Sequence, residues 1–277
     1  MGSESSWPLH GTAPERYEQY IVPAWMGAWT NILIERARIV PGDQILDIAC
    51  GTGVVARRAA HLVGPRGRVI GIDADRNMLV AASNFADSEN LSVTEWRLGD
   101  AANIPVETGV CDLVLCQQGL QFFSEKQRAL EEMFRVLVPG GRIALSVWRS
   151  IDRCPLFAIL ADIIGEYIGF EPTRAFYSSC SLFDREELRG LLTGALFSEI
   201  NISLEVQMAR FSSLEEFLPG YISVFPFSHQ IAEMSDDEQN KMFTEIKKSL
   251  LTFSDDYGLA VPMESHIITA WKYDSGK

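Results

Sequence analysis

Three carboxylates stand at or just past the ends of apolar runs. Asp47 lies within Ile45-Leu46-Asp47-Ile48-Ala49-Cys50-Gly51-Thr52-Gly53, Asp73 follows the run at 68–72, and Asp100 sits in the pair Gly99-Asp100. An apolar run that closes in a small glycine-containing turn and leads into an alanine-rich stretch reads as strand, tight turn, helix. Gly51 and Gly53 lack a Cβ, so the backbone there can take unusual φ/ψ and come close to a ligand. The helix after them presents free N–H groups and the positive end of its dipole, which favour negative charge. In an open parallel sheet, ligands bind beyond the carboxyl ends of the strands, so the three acids are expected to line one crevice. Their shared chemistry is acceptance, and it suits a ligand with several donor groups and some positive charge.

Two ligand classes compete for that crevice. Gly51-x-Gly53-x-x-Ala56 fits the relaxed dinucleotide fingerprint, and Asp73 lies 20 residues beyond Gly53, where a ribose-binding acid belongs. Two features disfavour a dinucleotide. Asp47 precedes the turn and is aimed at the space a pyrophosphate would occupy, where a carboxylate repels phosphate and suits an ammonium. Gly99-Asp100 adds an acceptor suited to an exocyclic amine. A ligand with an α-amino group, a ribose diol, an adenine and no phosphate satisfies all three acids, and S-adenosylmethionine is that ligand.

The elements that must position these groups follow from the pattern. The residues at 13–38 read as helix, with Pro23 expected to break it into two. Strands are expected at 44–49, 68–72, 91–97, 111–116 and 143–148, with helices at 54–62, 77–85 and 124–137, the last closed by Pro139-Gly140-Gly141. This alternation predicts βαβ units and a parallel sheet with helices on both faces. Beyond it come an apolar helix at 156–168 and a helix at 185–192 started by the Asp184/Glu187 capping spacing. Strands at 197–208 and 267–272 are expected to form an antiparallel edge pair. Ser213 and Glu216 repeat the capping spacing, and a helix opened by 235–238 carries Met242, Ile246, Leu250 and Phe253 on a buried face. The excursions at 150–182 and 212–262 exceed what a minimal sheet domain needs and hold many aromatic residues, which suits a cap. Residues 1–11 are polar and read as frayed.

Composition narrows the class. A chain of 277 residues, 47% hydrophobic and 22% charged, can bury one large core with an elaborated cap. Its formal net charge of −13 disfavours nucleic acid as a partner. The five cysteines make no ligand pattern, no metal-ligand spacing is evident, and Cys111 and Cys116 read as buried thiols of a reducing compartment. Neither a signal peptide nor an 18-residue uncharged apolar run is present, so a cytoplasmic protein without stable membrane insertion is expected. A homodimer is left open.

The set Asp47, Gly51-Thr52-Gly53, Asp73 and Gly99-Asp100 resembles the class I S-adenosylmethionine-dependent methyltransferases. The segment Cys111-Asp112-Leu113-Val114-Leu115-Cys116-Gln117-Gln118-Gly119 and the helix end Arg135-Val136-Leu137-Val138-Pro139-Gly140-Gly141 share the likeness. The joint spacing is specific although each motif alone is not, and the likeness covers about 12–148 strongly and the last strands more loosely. The resemblance implies an α/β Rossmann-like methyltransferase fold, with a mostly parallel seven-stranded sheet in the order 3-2-1-4-5-7-6, helices on both faces and a helical cap. The domains expected are an N-terminal helical lid at 1–38 and a core at 39–277.

It also implies roles. Gly51 and Gly53, with Thr52 between them, let the backbone approach the methionine moiety, and Asp47 holds the amino group directly or through water. Asp73, beside Ala74, accepts from both ribose hydroxyls, and Met78 packs on the adenine. Asp100 accepts from the adenine amine, Ala101 donates a backbone N–H to the ring, and Gln117 lies beside the cofactor. Tyr20 closes over the carboxylate. Cys50 departs from the small residue or glycine usual there and reads as packing. The expected reaction is methyl transfer to a small organic acceptor, cyclic or lipophilic, since the sequence is similar to quinone-biosynthesis and secondary-metabolite methyltransferases. No Asn/Asp-Pro-Pro-Tyr/Phe segment follows strand four, and no Pro-Cys pair is present. His229 is the candidate general base, with Tyr177 and Tyr221 as candidates to orient a hydroxyl. His266 reads as structural, and His10 and His61 have no distinguishing context. The rival readings are an enzyme that binds the cofactor but does non-methylating chemistry, a nicotinamide oxidoreductase, and a non-enzymatic interaction module.

Overall fold

The computed structural model describes residues 11–211 and 213–273. The polar stretch before Gly11, His10 and Ser212 lie outside the described residues. The strands are β1 (Gln44–Ile48), β2 (Arg68–Asp73), β3 (Thr94–Leu98), β4 (Cys111–Gln117), β5 (Leu137–Trp148), β6 (Ser198–Phe211), β7 (Ser254–Asp255) and β8 (Gly258–Trp271). They form one sheet in the order β3-β2-β1-β4-β5-β8-β6, with the two-residue β7 paired to β8. The first five run parallel, and β8 is antiparallel to β5. This is the order 3-2-1-4-5-7-6 with β8 in the seventh place.

The central parallel strands β1 and β4 are covered on both faces, so their sequences are nearly continuous apolar runs, whereas the edge strand β3, with Glu95 and Arg97, is only half-buried. Ile45, Leu46, Ile48, Leu113, Val114 and Leu115 are buried. Register aligns the carboxyl ends: Ile48 pairs with Ile72, Asp73 with Leu98, and Gln117 with Ser146. The expected acids therefore stand at one edge of the sheet.

The chain divides into two units. One comprises Gly27–Ser150, Ser179–Glu205 and Glu264–Lys277, and it holds the parallel strands, the helices Val54–Val63, Arg76–Ser88 and Lys126–Val136, and the main hydrophobic cluster. In it, Trp29 packs edge to face on Trp148, with centroids 5.4 Å apart. Lys272 donates to the carbonyls of Phe134 and Leu137 and lies over the Phe134 ring, which satisfies the end of the helix Lys126–Val136.

The other unit comprises Met1–Met26, Ile151–Ser178 and Val206–Met263. Its core is aromatic. Trp25 meets Phe157, Phe211, Phe217 and Tyr221 at centroid distances of 4.9 to 6.5 Å, and Phe176 packs on Phe225 and Phe227. Its helix Asp236–Leu250 starts with a full capping box between Ser235 and Glu238.

Three local expectations are corrected. The chain does not break at Pro23: Tyr17–Met26 is π-helical with Pro23 inside it and runs into the α-helix Gly27–Ala37. Proline crowds the carbonyl four residues back, and the wider π turn pairs one residue further on and relieves it. Phe253 lies beyond the helix that buries Met242, Ile246 and Leu250, in a 3-10 turn, and is only half-buried. The last strand begins at Gly258 rather than at 267, passing through Pro262.

Candidate active site

Asp47 is the buried centre of the carboxyl edge. It is 1% exposed, and its Oδ2 accepts the N–H of Ala56 at 3.1 Å. Ala56 is in the first turn of the helix Val54–Val63, whose N-cap, Gly53, has no side chain to offer. Asp47 thus caps that helix from the strand before it. Its Oδ1 is buried with no hydrogen-bond partner. Burial pushes the carboxyl up to about 8; the Ala56 N–H pulls it down, and the nearby Asp73 charge adds to the rise.

The turn between β1 and the helix alternates through the left-handed region, with φ of 55° at Ala49, 55° at Gly51 and 82° at Gly53. The two glycines serve different ends. The Cβ position of Gly51 opens on free space, with no atom within 4 Å. At Gly53 a Cβ would run into the Trp96 ring, and Gly71 on β2 is held Cβ-free by the same ring. Trp96, on β3, is a determinant of the turn that no local motif announces. Asp73 fixes the turn from β2. Its Oδ2 accepts the Gly51 N–H at 2.8 Å and its Oδ1 accepts the Asp75 N–H at 2.9 Å. Thr52 and Cys50 are buried; burial, then the charges of Asp47 and Asp73, raise the Cys50 thiol well above its ordinary value, consistent with packing rather than reactivity.

Ala74 is exposed after β2 and Met78 is half-buried in the first turn of the helix Arg76–Ser88. Asp100 is exposed, and its Oδ1 accepts the Ala102 N–H at 2.8 Å, while Ala101 is buried. The missing Cβ at Gly99 admits the Pro105 ring. Gln117, buried, ends β4.

Just beyond it lies a buried amide chain. Gln118 sits at φ 54° and donates from Nε2 to Ser265 Oγ at 3.0 Å, and Ser265 donates to the Val147 carbonyl at 2.8 Å. Gln121 Nε2 donates to Gln118 Oε1 at 3.3 Å. Gln118 and Ser265 are 147 residues apart, so only tertiary structure reveals the chain.

The remaining expected residues belong to the helical unit. Tyr20 lines a cavity of about 550 Å³ with Pro23, Arg210, Phe211, Phe217 and Tyr257, and its ring fills the space over Gly220. Tyr221 is buried in the aromatic core between Trp25, Phe217 and Phe225. The Tyr177 hydroxyl donates to Asp162 at 3.2 Å. His229 is exposed beside a groove of about 460 Å³, its Nδ1 2.6 Å from the Pro226 carbonyl. In the sheet unit, His266 Nε2 lies 2.9 Å from the Phe183 carbonyl, and burial lowers the pKa of this ring. His61 pairs with Glu89 on the surface.

A family profile described as a methyltransferase domain matches residues 45–141, the span from β1 into β5, whose strand already includes Pro139-Gly140-Gly141, where a turn was expected. The chain is 36% identical over 184 residues to the ubiquinone/menaquinone biosynthesis C-methyltransferase UbiE of Ectopseudomonas mendocina, covering 62% of this chain and 72% of that one. This chain belongs to the class I S-adenosylmethionine-dependent methyltransferases. Coverage of other curated relatives is shorter: two of them are spanned over only 36% and 28% of their lengths. Among solved structures, a Haemonchus contortus phosphoethanolamine N-methyltransferase in complex with S-adenosyl-L-methionine matches with a TM-score of 0.61 and 20% identity, over 95% of this chain and 58% of that one. The [4+2]-cyclase SpnF matches with a TM-score of 0.54 and 21% identity, over 89% and 81%. These two likenesses show the methyltransferase fold, and the second shows that the fold is not tied to one reaction. Among the described residues no helix is long and apolar enough to cross a membrane.

Proposed function

We propose that this methyltransferase moves the methyl group of S-adenosylmethionine to a small organic acceptor, cyclic or lipophilic, and leaves S-adenosylhomocysteine. The observation that carries the reading is Asp47. A buried carboxyl with one unpartnered oxygen stands at the turn where a dinucleotide would place its phosphates. An anion there meets repulsion, whereas an ammonium, directly or through a water, supplies the missing donor. The residue set around it fits the same ligand.

Each chain group then has a task. Asp47 binds the α-amino group. Asp73 keeps its remaining lone pairs for the ribose hydroxyls while its Gly51 contact holds the turn. Gly51 offers Cβ-free space for the methionine backbone, and Thr52 and Gly53 complete the turn. Ala74 and Met78 flank the ribose and adenine, Asp100 accepts from the adenine amine, and the Ala101 N–H addresses the ring. Gln117 lies beside the cofactor at the end of β4. When bound, S-adenosylmethionine supplies a methyl group already activated on a sulfonium. What the chain must add is orientation and exclusion of water.

The acceptor class is read from the quinone-biosynthesis relative. His229 is the titratable candidate for a base and Tyr177 and Tyr221 are hydroxyl candidates. The net charge of −13 favours a small molecule over nucleic acid. The test is incubation with methyl-deuterated S-adenosylmethionine and a panel of phenolic and quinol acceptors, read by mass spectrometry. Labelled product with stoichiometric S-adenosylhomocysteine is expected; an acceptor that rearranges while the cofactor stays intact would overturn the proposal.

A further inference from the structure

The segment that carries Asp100 and Ala101 is tied to the helix Lys126–Val136 chiefly through the pair Glu132 and Arg135, which Arg128 joins at Glu132 Oε1 (3.3 Å), and by the Val110 N–H on the Val136 carbonyl at 2.9 Å. Glu132 is 3% exposed although it is charged, and its Oε2 accepts the Ile104 N–H at 3.0 Å. Arg135 meets the same carboxylate twice, Nε to Oε1 at 2.8 Å and Nη2 to Oε2 at 2.7 Å. It then reaches three further acceptors of the segment between β3 and β4: the carbonyls of Ile104 and Val106, at 3.0 and 2.9 Å, and Thr108 Oγ1 at 3.1 Å. Its own carbonyl takes the Gly109 N–H at 3.0 Å. One bidentate pair thus satisfies five polar groups of a connection that has no other regular structure. The Arg135 hydrogen bonds hold the Glu132 carboxyl below its ordinary value, against burial.

The near side of that connection is held from β2 and by its own turn. Gly99 donates to the Asp73 carbonyl at 3.1 Å, and Asn103 donates to the Asp100 carbonyl at 3.0 Å. Asp100 and Ala101 therefore lie between β2 on one side and, on the other, a stretch held by the pair and by Arg97 of β3, which donates to the Pro105 carbonyl at 2.8 Å. A one-residue slip at Ile104 moves the Asp100 carboxylate directly, because only three residues separate them.

We infer that Glu132 and Arg135 are positioning residues for the adenine end of the cofactor, setting where Asp100 and Ala101 present their acceptor and donor. The inference rests on the proposed placement of the adenine at Asp100, and the test separates the two. The probes are S-adenosylhomocysteine and S-inosylhomocysteine, which lacks the exocyclic amine. Their affinities are measured by calorimetry on the full chain and on Asp100→Ala, Arg135→Lys and Glu132→Gln, with folding checked by thermal melts. The unaltered protein is expected to prefer the adenosyl ligand by about 10-fold, the worth of one charge-assisted hydrogen bond, and Asp100→Ala to lose that preference. Arg135→Lys and Glu132→Gln are expected to cut it below about threefold while homocysteine-moiety binding persists, so both ligands still bind. Should either variant fail to fold, Thr108→Val removes one Arg135 contact alone and is expected to lower the preference in the same direction. Folded Glu132 and Arg135 variants that keep the full preference, with Asp100→Ala lacking it, would leave the pair as scaffolding and overturn the inference. If the unaltered protein shows no preference and Asp100→Ala changes nothing, the adenine placement itself falls, and the inference with it.

Discussion

Replacing Asp47 with Asn isolates the charge that the proposed cofactor site depends on. The Asn side chain can still accept the Ala56 N–H, so the helix cap survives. What it removes is ionisation. With the carboxyl pushed up to about 8 by burial, about one-tenth of the free protein is ionised at pH 7, about one-hundredth at pH 6 and half at pH 8. A ligand ammonium requires the ionised form, so binding at pH 7 is expected to release about 0.9 proton and to forgo about 1.4 kcal/mol of affinity. The affinity for S-adenosylhomocysteine should therefore rise about 50-fold from pH 6 to pH 8 in the unaltered protein and stay nearly flat in Asp47→Asn. The sign for stability is opposite. The folded state holds its proton where the unfolded chain has lost it, so stability of the ligand-free protein falls as pH rises from about 4 to about 8, by at most 1.4 kcal/mol per pH unit. Asp47→Asn should remove that slope and melt higher than the unaltered protein at pH 8. Calorimetry in two buffers of different ionisation enthalpy, with melts across the pH range, reads both effects. A pH-independent affinity with no proton release would refute the raised Asp47 pKa, and an Asp47→Asn variant that binds as tightly as the unaltered protein at pH 8 would refute the ammonium reading.

The other variants probe the turn. Asp73→Ala removes the acceptor of the Gly51 and Asp75 N–H groups, and each such bond to a charged group is worth about 1.5–3 kcal/mol. Cofactor affinity should fall at least 10-fold in calorimetry, and unchanged affinity would speak against Asp73 as a site residue. Gly53→Ala drives a Cβ into the Trp96 ring at positive φ and should lower stability by about 2 kcal/mol or more in denaturant titration. Gly51→Val, whose Cβ meets no atom within 4 Å, is strained by the left-handed φ of 55° and is expected both to lower stability and to abolish cofactor binding by filling the space the ligand needs. A folded Gly51→Val that binds normally would place the methionine moiety elsewhere.

Much of the sheet unit was legible from the sequence because its signals are local. Apolar runs at 44–49, 68–72 and 111–116, punctuated by glycine and proline, determine strands within a residue or two, and acids at strand ends imply a shared edge. The first part of β8 was hidden because Pro262 and the polar run Glu264-Ser265-His266 break the alternation, although β5 pairs with Ser265 and His266. Long-range contacts were equally invisible. Nothing near Gly53 says that its neighbour is Trp96, and nothing near Gln118 points to Ser265. Glu132 and Arg135 read as ordinary helix polarity at three-residue spacing, and their hold on Ile104 and Val106 emerges only once the sheet brings the two segments together. Pro23 misled for a related reason: the wider π turn that accommodates it leaves no mark in the residue pattern.

Cofactor choice is the point on which the functional account turns, and calorimetric titration of the full chain with S-adenosylhomocysteine and, separately, with NADH addresses it most directly. One site for the sulfur-containing nucleoside, tightening from pH 6 to pH 8, and no measurable heat with NADH is the predicted outcome. Tight NADH binding in the absence of any S-adenosylhomocysteine binding would contradict it.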